Sequence, residues 1–85
     1  MTARLSQHAR EECARRGIAP ADVEAVLAAP GQIVPGLGSK VVYQSVQTCE
    51  GHPMLLRVVV ARDVSPPLVV TVYRTSKIAK YWSPS

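Results

Sequence analysis

The sequence predicts an α+β domain: two N-terminal helices packed on a three- to four-stranded antiparallel sheet, with a short C-terminal helix after it. Apolar residues recur at helical spacing in the first third of the chain and at strand spacing from residue 40 onwards. Helices followed by a run of strands favour two layers, with the helices on one sheet face and the other face open. A chain of 85 residues suffices for one small core, so we assign residues 1–85 to a single domain.

The two helices are predicted from their end signals. The first is expected over residues 6–16, where Ser6 can cap the first amides and Gly17 suits the left-handed position after the last turn. The second is expected over residues 20–28, because Pro20 fits the first helical position. A short Gly-Ile-Ala-Pro connection then makes the two helices a hairpin or corner.

The strands follow from β-branched runs and turn signals. Strands are predicted over residues 40–48, 55–62 and 68–74, with a weaker one near 32–35. Residues 50–53, Glu-Gly-His-Pro, indicate a hairpin turn.

Composition excludes several classes of protein. The apolar runs are interrupted by Arg57 and by Pro66-Pro67, so no membrane span is expected. The N-terminus lacks the apolar core of a signal peptide, and two cysteines are too few for a disulfide framework, so we expect a reduced, cytoplasmic protein. Ten Lys and Arg against six Asp and Glu give a net charge of +4, which favours an acidic partner such as nucleic acid.

The C-terminal segment 73–82 mixes cations with aromatic rings. Basic groups such as Lys77 and Lys80 can neutralise phosphates while rings such as Tyr81 stack on bases, a mixture that suits single-stranded RNA. The alternative is an amphipathic helix that packs its aromatic residues down and keeps its lysines solvated. The two interpretations are compatible.

The first helix and the last strand carry the candidate catalytic groups. His8 and Arg15 lie on one flank of the helix, where His8 could move a proton while Arg15 stabilises developing charge. The alternative is an ordinary helix histidine bonded to Glu12. In the last strand, alternation puts Val69 with Thr71 and Tyr73 on one side and Val70, Val72 and Arg74 on the other. Here the alternative is that Thr and Tyr only reflect β propensity.

Metal and phosphate-loop chemistry have little support in the sequence. His8, Cys13, Cys49 and His52 are the soft ligands, and they show no metal-binding spacing. The Gly-x-Gly at residues 36–38 has no helix after it. We therefore expect no metal and no cofactor.

Several short motifs, spread over nearly the whole chain, together resemble a known family. They are Ser6-Gln7-His8-Ala9, Arg15-Arg16-Gly17-Ile18, the Val23–Leu27 helix ending at Pro30, Val69-Val70-Thr71-Val72-Tyr73, and the ending from Thr75 to Trp82. The resemblance is to a bacterial family of short proteins of unknown function with an N-terminal Ser-x-His-Ala signature and a Val-x-Thr-Val-Tyr final strand. That family is regarded as similar to RelE/ParE-like toxins of type II toxin–antitoxin modules, which have the barnase–EndoU–colicin–RelE fold.

The resemblance implies metal-independent RNA cleavage by attack of a 2′-hydroxyl. It implies catalytic roles for His8, Thr71 and Tyr73. The arginine at the end of the family's helix corresponds to Arg15 or Arg16. The function predicted from the sequence is thus a toxin-like endoribonuclease whose partners are RNA and a small antitoxin protein. We expect His8, Arg15, Arg57 and Arg74 to share one shallow face, and the predicted substrate-binding residues are Arg15, Arg57, Arg74, Lys77, Lys80 and Tyr81. The alternative is a non-catalytic module that binds protein or RNA, such as an inactive relative or a homodimer.

Overall fold

A five-stranded sheet carries two helices on one of its faces, in the computed structural model that describes residues 3–84. The predicted α+β class is confirmed. In chain order the elements are β1 (Arg4–Leu5), α1 (Gln7–Arg16), α2 (Pro20–Ala28), β2 (Gln32–Pro35), β3 (Lys40–Cys49), β4 (His52–Ala61), β5 (Leu68–Thr75) and α3 (Ile78–Tyr81).

The strands lie in the order β1-β5-β4-β3-β2. Strands β2 to β5 form the predicted antiparallel meander, including the weak strand β2. The sheet is larger than predicted because β1 adds a parallel strand beside β5, where Arg4 opposes Leu68 and Leu5 opposes Val69. A strand of two residues shows no alternation, so the sequence carries no signal for it.

The ends of α1 follow the predicted chemistry. The Ser6 hydroxyl accepts a hydrogen bond from the Ala9 amide at 3.0 Å and donates one to the Val70 carbonyl at 3.1 Å. It therefore caps the helix and also ties its first turn to β5. Gly17 ends the helix at φ 66°, the left-handed conformation that a side chain would disfavour.

The core lies between the two helices and one face of the sheet. Ala9 and Cys13 of α1 and Val23 of α2 are buried in it. Without phenylalanine, most of the strand residues that meet them are β-branched. The sheet contributes Tyr43, Leu56, Val58, Val60, Val69 and Val72.

A β-bulge changes which side chains of β5 face the core. Val59 opposes Thr71 and Val60 opposes Val69, so Val70 is an extra residue without a partner. Val69 and Val72 are therefore both buried against the helices. The predicted side for Val69 and Val70 is wrong, because one added residue shifts the alternation of every residue on one side of it.

Candidate functional site

A row of four polar residues crosses the face of the sheet opposite the helices. Gln32, Gln44, Arg57 and Tyr73 occupy directly opposed positions on β2, β3, β4 and β5. The Gln44 amide nitrogen donates to Gln32 Oε1 at 3.0 Å, and Arg57 Nε donates to Gln44 Oε1 at 2.9 Å. A terminal nitrogen of Arg57 donates to the Tyr73 hydroxyl. This polar row (Gln32, Gln44, Arg57, Tyr73) is a continuous hydrogen-bonded chain across four strands.

Arg57 is the most unusual member of the polar row, because its charge is buried. The residue is 9% exposed, and its guanidinium carbon lies 4.1 Å from the centre of the Tyr81 ring and 5.6 Å from that of Tyr73. Among residues 3–84, the ion pairs are those of Glu12 with Arg15 and Arg16, so no acid neutralises Arg57. Rings and amide oxygens stabilise the cation without cancelling its charge. A fixed, unneutralised cation on an open face is a candidate anion-binding group.

The C-terminal tail docks on the same polar row. Gln44 Nε2 donates to the Tyr81 carbonyl at 3.1 Å, and Gln32 exchanges two bonds with the Ser83 backbone at 2.8 and 2.9 Å. Trp82 lies against Gly31, where a Cβ would come within 3.0 Å of the indole. The half-buried Tyr81 and Trp82 and the exposed Lys77 and Lys80 agree with the amphipathic-helix alternative, which is compatible with RNA binding.

A groove of about 650 Å³ opens beside the polar row, and we call it the open-face groove. Its floor consists of Val42, Val59, Val70 and Thr71, and Arg57 lies at its border with the polar row. The bulge creates part of this floor, because it turns two consecutive residues, Val70 and Thr71, to the same face.

The structure brings together only part of the predicted site. Thr71, Tyr73, Arg57 and Tyr81 all line the open-face groove. Lys80 adjoins them, since its ammonium nitrogen lies 5.2 Å from the centre of the Tyr81 ring. Lys77, which precedes α3, is exposed.

His8 and Arg15 lie elsewhere, so the expected single shared face is wrong. Both are exposed on α1, which packs on the opposite face of the sheet. Arg15 donates two hydrogen bonds to the Glu12 carboxylate, at 2.8 and 2.7 Å, and Arg16 donates a third at 3.1 Å. These bonds, above all those from Arg15, hold the pKa of the Glu12 carboxyl below its ordinary value of 4.5. Glu12 is thus a partner of the arginines, which is not the pairing with His8 considered above.

Arg74 also faces the helices. One terminal nitrogen donates to the Arg16 carbonyl at 2.7 Å and to the Gly17 carbonyl at 3.3 Å, while the other lies 3.2 Å from Cys49 Sγ. Carbonyls at a helix C-terminus lack partners within the helix, and a cation there is favourable. The arginine therefore binds the end of α1, and its assignment to the face of Arg57 is wrong because neighbouring strand residues point to opposite faces.

Sequence reasoning missed the two glutamines of the polar row. Gln44 is completely buried, yet it lies in a run of residues that reads as an ordinary strand. The predicted turn over residues 50–53 is too long, because His52 and Pro53 already belong to β4. The available signal was register: Gln44 and Arg57 lie equally far from a two-residue turn at Glu50-Gly51. That distance predicts that the two side chains are opposite one another.

Two further features bear on the kind of site. Within residues 3–84, no three His, Cys, Asp or Glu side chains cluster as metal ligands would. None of the described helices combines the length and the apolar character required to cross a bilayer.

The fold and this site define a small α+β domain with a cationic, aromatic-lined groove on an open sheet face. Residues 5–74 match the family described as "Domain of unknown function (DUF4258)", and the chain belongs to that family. The matched region includes Arg57 and Tyr73 and ends before α3. No curated protein and no solved structure matches the chain.

Proposed function

We propose that the protein is a toxin-like, metal-independent endoribonuclease that cleaves single-stranded RNA on the open face of its sheet, in the cytoplasm. The observation that supports this most is the buried guanidinium of Arg57, which forms no ion pair with an acid of residues 3–84 and which two tyrosines flank at the border of a groove. The resemblance to RelE/ParE-like toxins implies the type of reaction, which is attack by a 2′-hydroxyl. It also implies a small antitoxin protein as partner.

The reaction is a transesterification within the RNA chain. The ribose 2′-oxygen forms a bond to the adjacent phosphorus, its proton passes to solvent, and the bond from phosphorus to the 5′-oxygen of the next nucleotide breaks. The products are a 2′,3′-cyclic phosphate and a free 5′-hydroxyl. Arg57 stabilises the charge that grows on the phosphoryl oxygens, because its guanidinium is already fixed in place.

Tyr73 supplies the proton that the leaving 5′-oxygen needs. Its hydroxyl accepts a hydrogen bond from Arg57, which leaves the hydroxyl proton free to point at a substrate. Thr71 lies on the same strand and face and can orient the ribose. His8 has no part in this scheme, because α1 lies across the sheet from the groove.

The test is cleavage of single-stranded RNA by the purified protein in the presence of EDTA. We expect products with 2′,3′-cyclic phosphate ends, and a rate about 100-fold lower for Arg57→Met, the usual cost of removing one donor to an oxyanion. Tyr73→Phe, which removes only the hydroxyl, should slow cleavage by a similar factor. Arg10→Met is the matched control, since it removes an exposed arginine on the helix side, and His8→Ala should also cleave normally. Intact RNA, or equal rates in all variants, would contradict the proposal.

The second candidate is a module that binds RNA without cleaving it. The observation that favours it is the Tyr81 ring, which lies over the Arg57 guanidinium at 4.1 Å and shields it. Binding of a 2′-O-methyl RNA, which cannot be cleaved, measures affinity separately from reaction. Tight binding that Arg57→Met weakens, together with intact unmodified RNA, would establish this candidate in place of the nuclease.

A further inference from the structure

The floor of the open-face groove is largely apolar. Val42, Val59 and Val70 come from three neighbouring strands, and Thr71 adds one hydroxyl among them. Such a floor offers dispersion contacts to one face of a planar ring. The volume of about 650 Å³ exceeds that of a bound ion and suits a group as large as a heterocycle with its sugar.

Cations stand at both ends of this apolar floor. Lys40 begins β3 and lines the groove, and Arg57 opposes Gln44 four residues further along β3. Four residues of a strand span about 13 Å. Neither cation forms an ion pair with an acid among residues 3–84, where both ion pairs belong to Glu12. A ligand with an apolar centre and a negative charge on each side matches this arrangement.

The rim of the groove has an unexplained exposed side chain. Leu37 lines the groove from the loop between β2 and β3 and is 88% exposed, although leucine is normally buried. Tyr81 of the docked tail also lines the groove. A group that enters the groove against Leu37 and Tyr81 would remove both from water. A paired base in a duplex cannot enter in this way, because its faces are stacked on its neighbours.

We propose that the open-face groove is a nucleobase subsite, which takes one unstacked base of single-stranded RNA while Arg57 and Lys40 face the phosphates on either side of that nucleotide. The inference rests on the proposed function and names the part of the substrate that the same site holds. The base lies on the valine floor, beside the Thr71 hydroxyl that orients the ribose of the same nucleotide.

The first experiment measures base recognition without any cleavage. Valine methyl signals of the full chain are followed by NMR during titration with AMP or UMP and, separately, with ribose 5-phosphate, which lacks only the base. We expect the methyl signals of Val42, Val59 and Val70 to change their chemical shifts on addition of the nucleotides. The same signals should not change on addition of ribose 5-phosphate. Equal shifts with ribose 5-phosphate, or no shift of these methyl groups with either nucleotide, would overturn the subsite.

A pair of isosteric variants tests the floor in RNA binding. Val59→Thr puts a hydroxyl in the floor, whereas Val46→Thr makes the same change at an exposed position outside the groove. We expect the first to weaken binding of a 2′-O-methyl single strand about tenfold, within the range for losing one stacked base, and the second to leave it unchanged. Equal affinities in both variants would overturn the inference. If the methyl groups respond to nucleotides while unmodified RNA stays intact, the subsite stands and the nuclease proposal fails.

Discussion

Two arginines on neighbouring strands, Arg57 and Arg74, have different environments because they point to opposite faces of the sheet. Arg74 points to the helices and binds the backbone carbonyls of Arg16 and Gly17, so its donors serve the end of α1. Arg57 points to the open face, where its partners are the side chains of the polar row and two rings. The same residue type thus holds the end of a helix on one face and joins a network of side chains beside the groove on the other.

The opposite orientations of Arg57 and Arg74 also divide the positive charge of the chain between two faces. From residue 51 onwards the sequence has five cations and one acid, which suggests a single basic surface. The structure divides them, since Arg74 belongs to the helix side and Arg57 to the open face. The number of cations therefore overestimates the charge that a ligand on the open face meets.

The largest expected difference between the two faces concerns adjacent valines of β4. Val58 is fully buried under the helices, whereas Val59 is partly exposed on the groove floor. Val58→Ala should lower the free energy of unfolding by about 2–3 kcal/mol, because it leaves a cavity in a packed core. Val59→Ala should cost about 1 kcal/mol or less, since water already reaches that site. Urea denaturation measures both losses of stability, provided that the m-values stay unchanged. Equal losses would show that the groove floor is part of the core.

A smaller effect is expected when Arg74 is replaced. Arg74→Met should lower the free energy of unfolding by about 1–2 kcal/mol, because the carbonyls at the end of α1 lose a charged donor. Arg10→Met, on the exposed side of α1, should change it by less than about 0.5 kcal/mol. The folded Arg74→Met protein should cleave and bind RNA like the wild type. Loss of RNA binding at normal stability would instead restore Arg74 to the substrate site.

The smallest expected effect concerns pH and Glu12. The Glu12 pKa is lowered in the folded protein, chiefly by its hydrogen bonds from Arg15. The ionised carboxylate therefore stabilises the fold above pH 4.5, which is the ordinary pKa of this group. This stabilisation should be lost as the pH falls from 4.5 through the lowered pKa. Glu12→Gln should therefore be less stable than the wild type at neutral pH, and the two should converge in acid. Thermal unfolding at several pH values measures this, and a constant difference would contradict the lowered pKa.

Local signals in the sequence were sufficient for the helices and most of the sheet. Ser6 and Gly17 marked the ends of α1 because caps act within one turn. The strands β3, β4 and β5 were recognisable from β-branched runs, and β2 from its position before a turn. In contrast, β1 forms only by pairing with β5, and the bulge at Val70 depends on how β5 pairs with β4.

The candidate site was predicted only in part, because residue types are visible in the sequence, whereas the sheet face of a residue depends on packing and register. Thr71, Tyr73 and Arg57 were identified by residue type, and they do share the groove. His8 and Arg15 were wrongly placed beside them, because helical spacing says which residues share a flank but not which sheet face the helix covers. Gln44 and Lys40 were overlooked, since an isolated polar residue in a strand has no special meaning until its cross-strand partner is known.

The sequence by itself determined that the chain is a small α+β domain with a positive charge and an aromatic, basic end. These properties follow from composition, periodicity and capping, which act over a few neighbouring residues. Only the tertiary structure decided that Arg57 faces a groove, that Arg74 binds the end of α1, and that Tyr81 returns to cover the polar row. Those outcomes depend on strand register and on one bulge, where a shift by a single residue exchanges the two faces of a sheet.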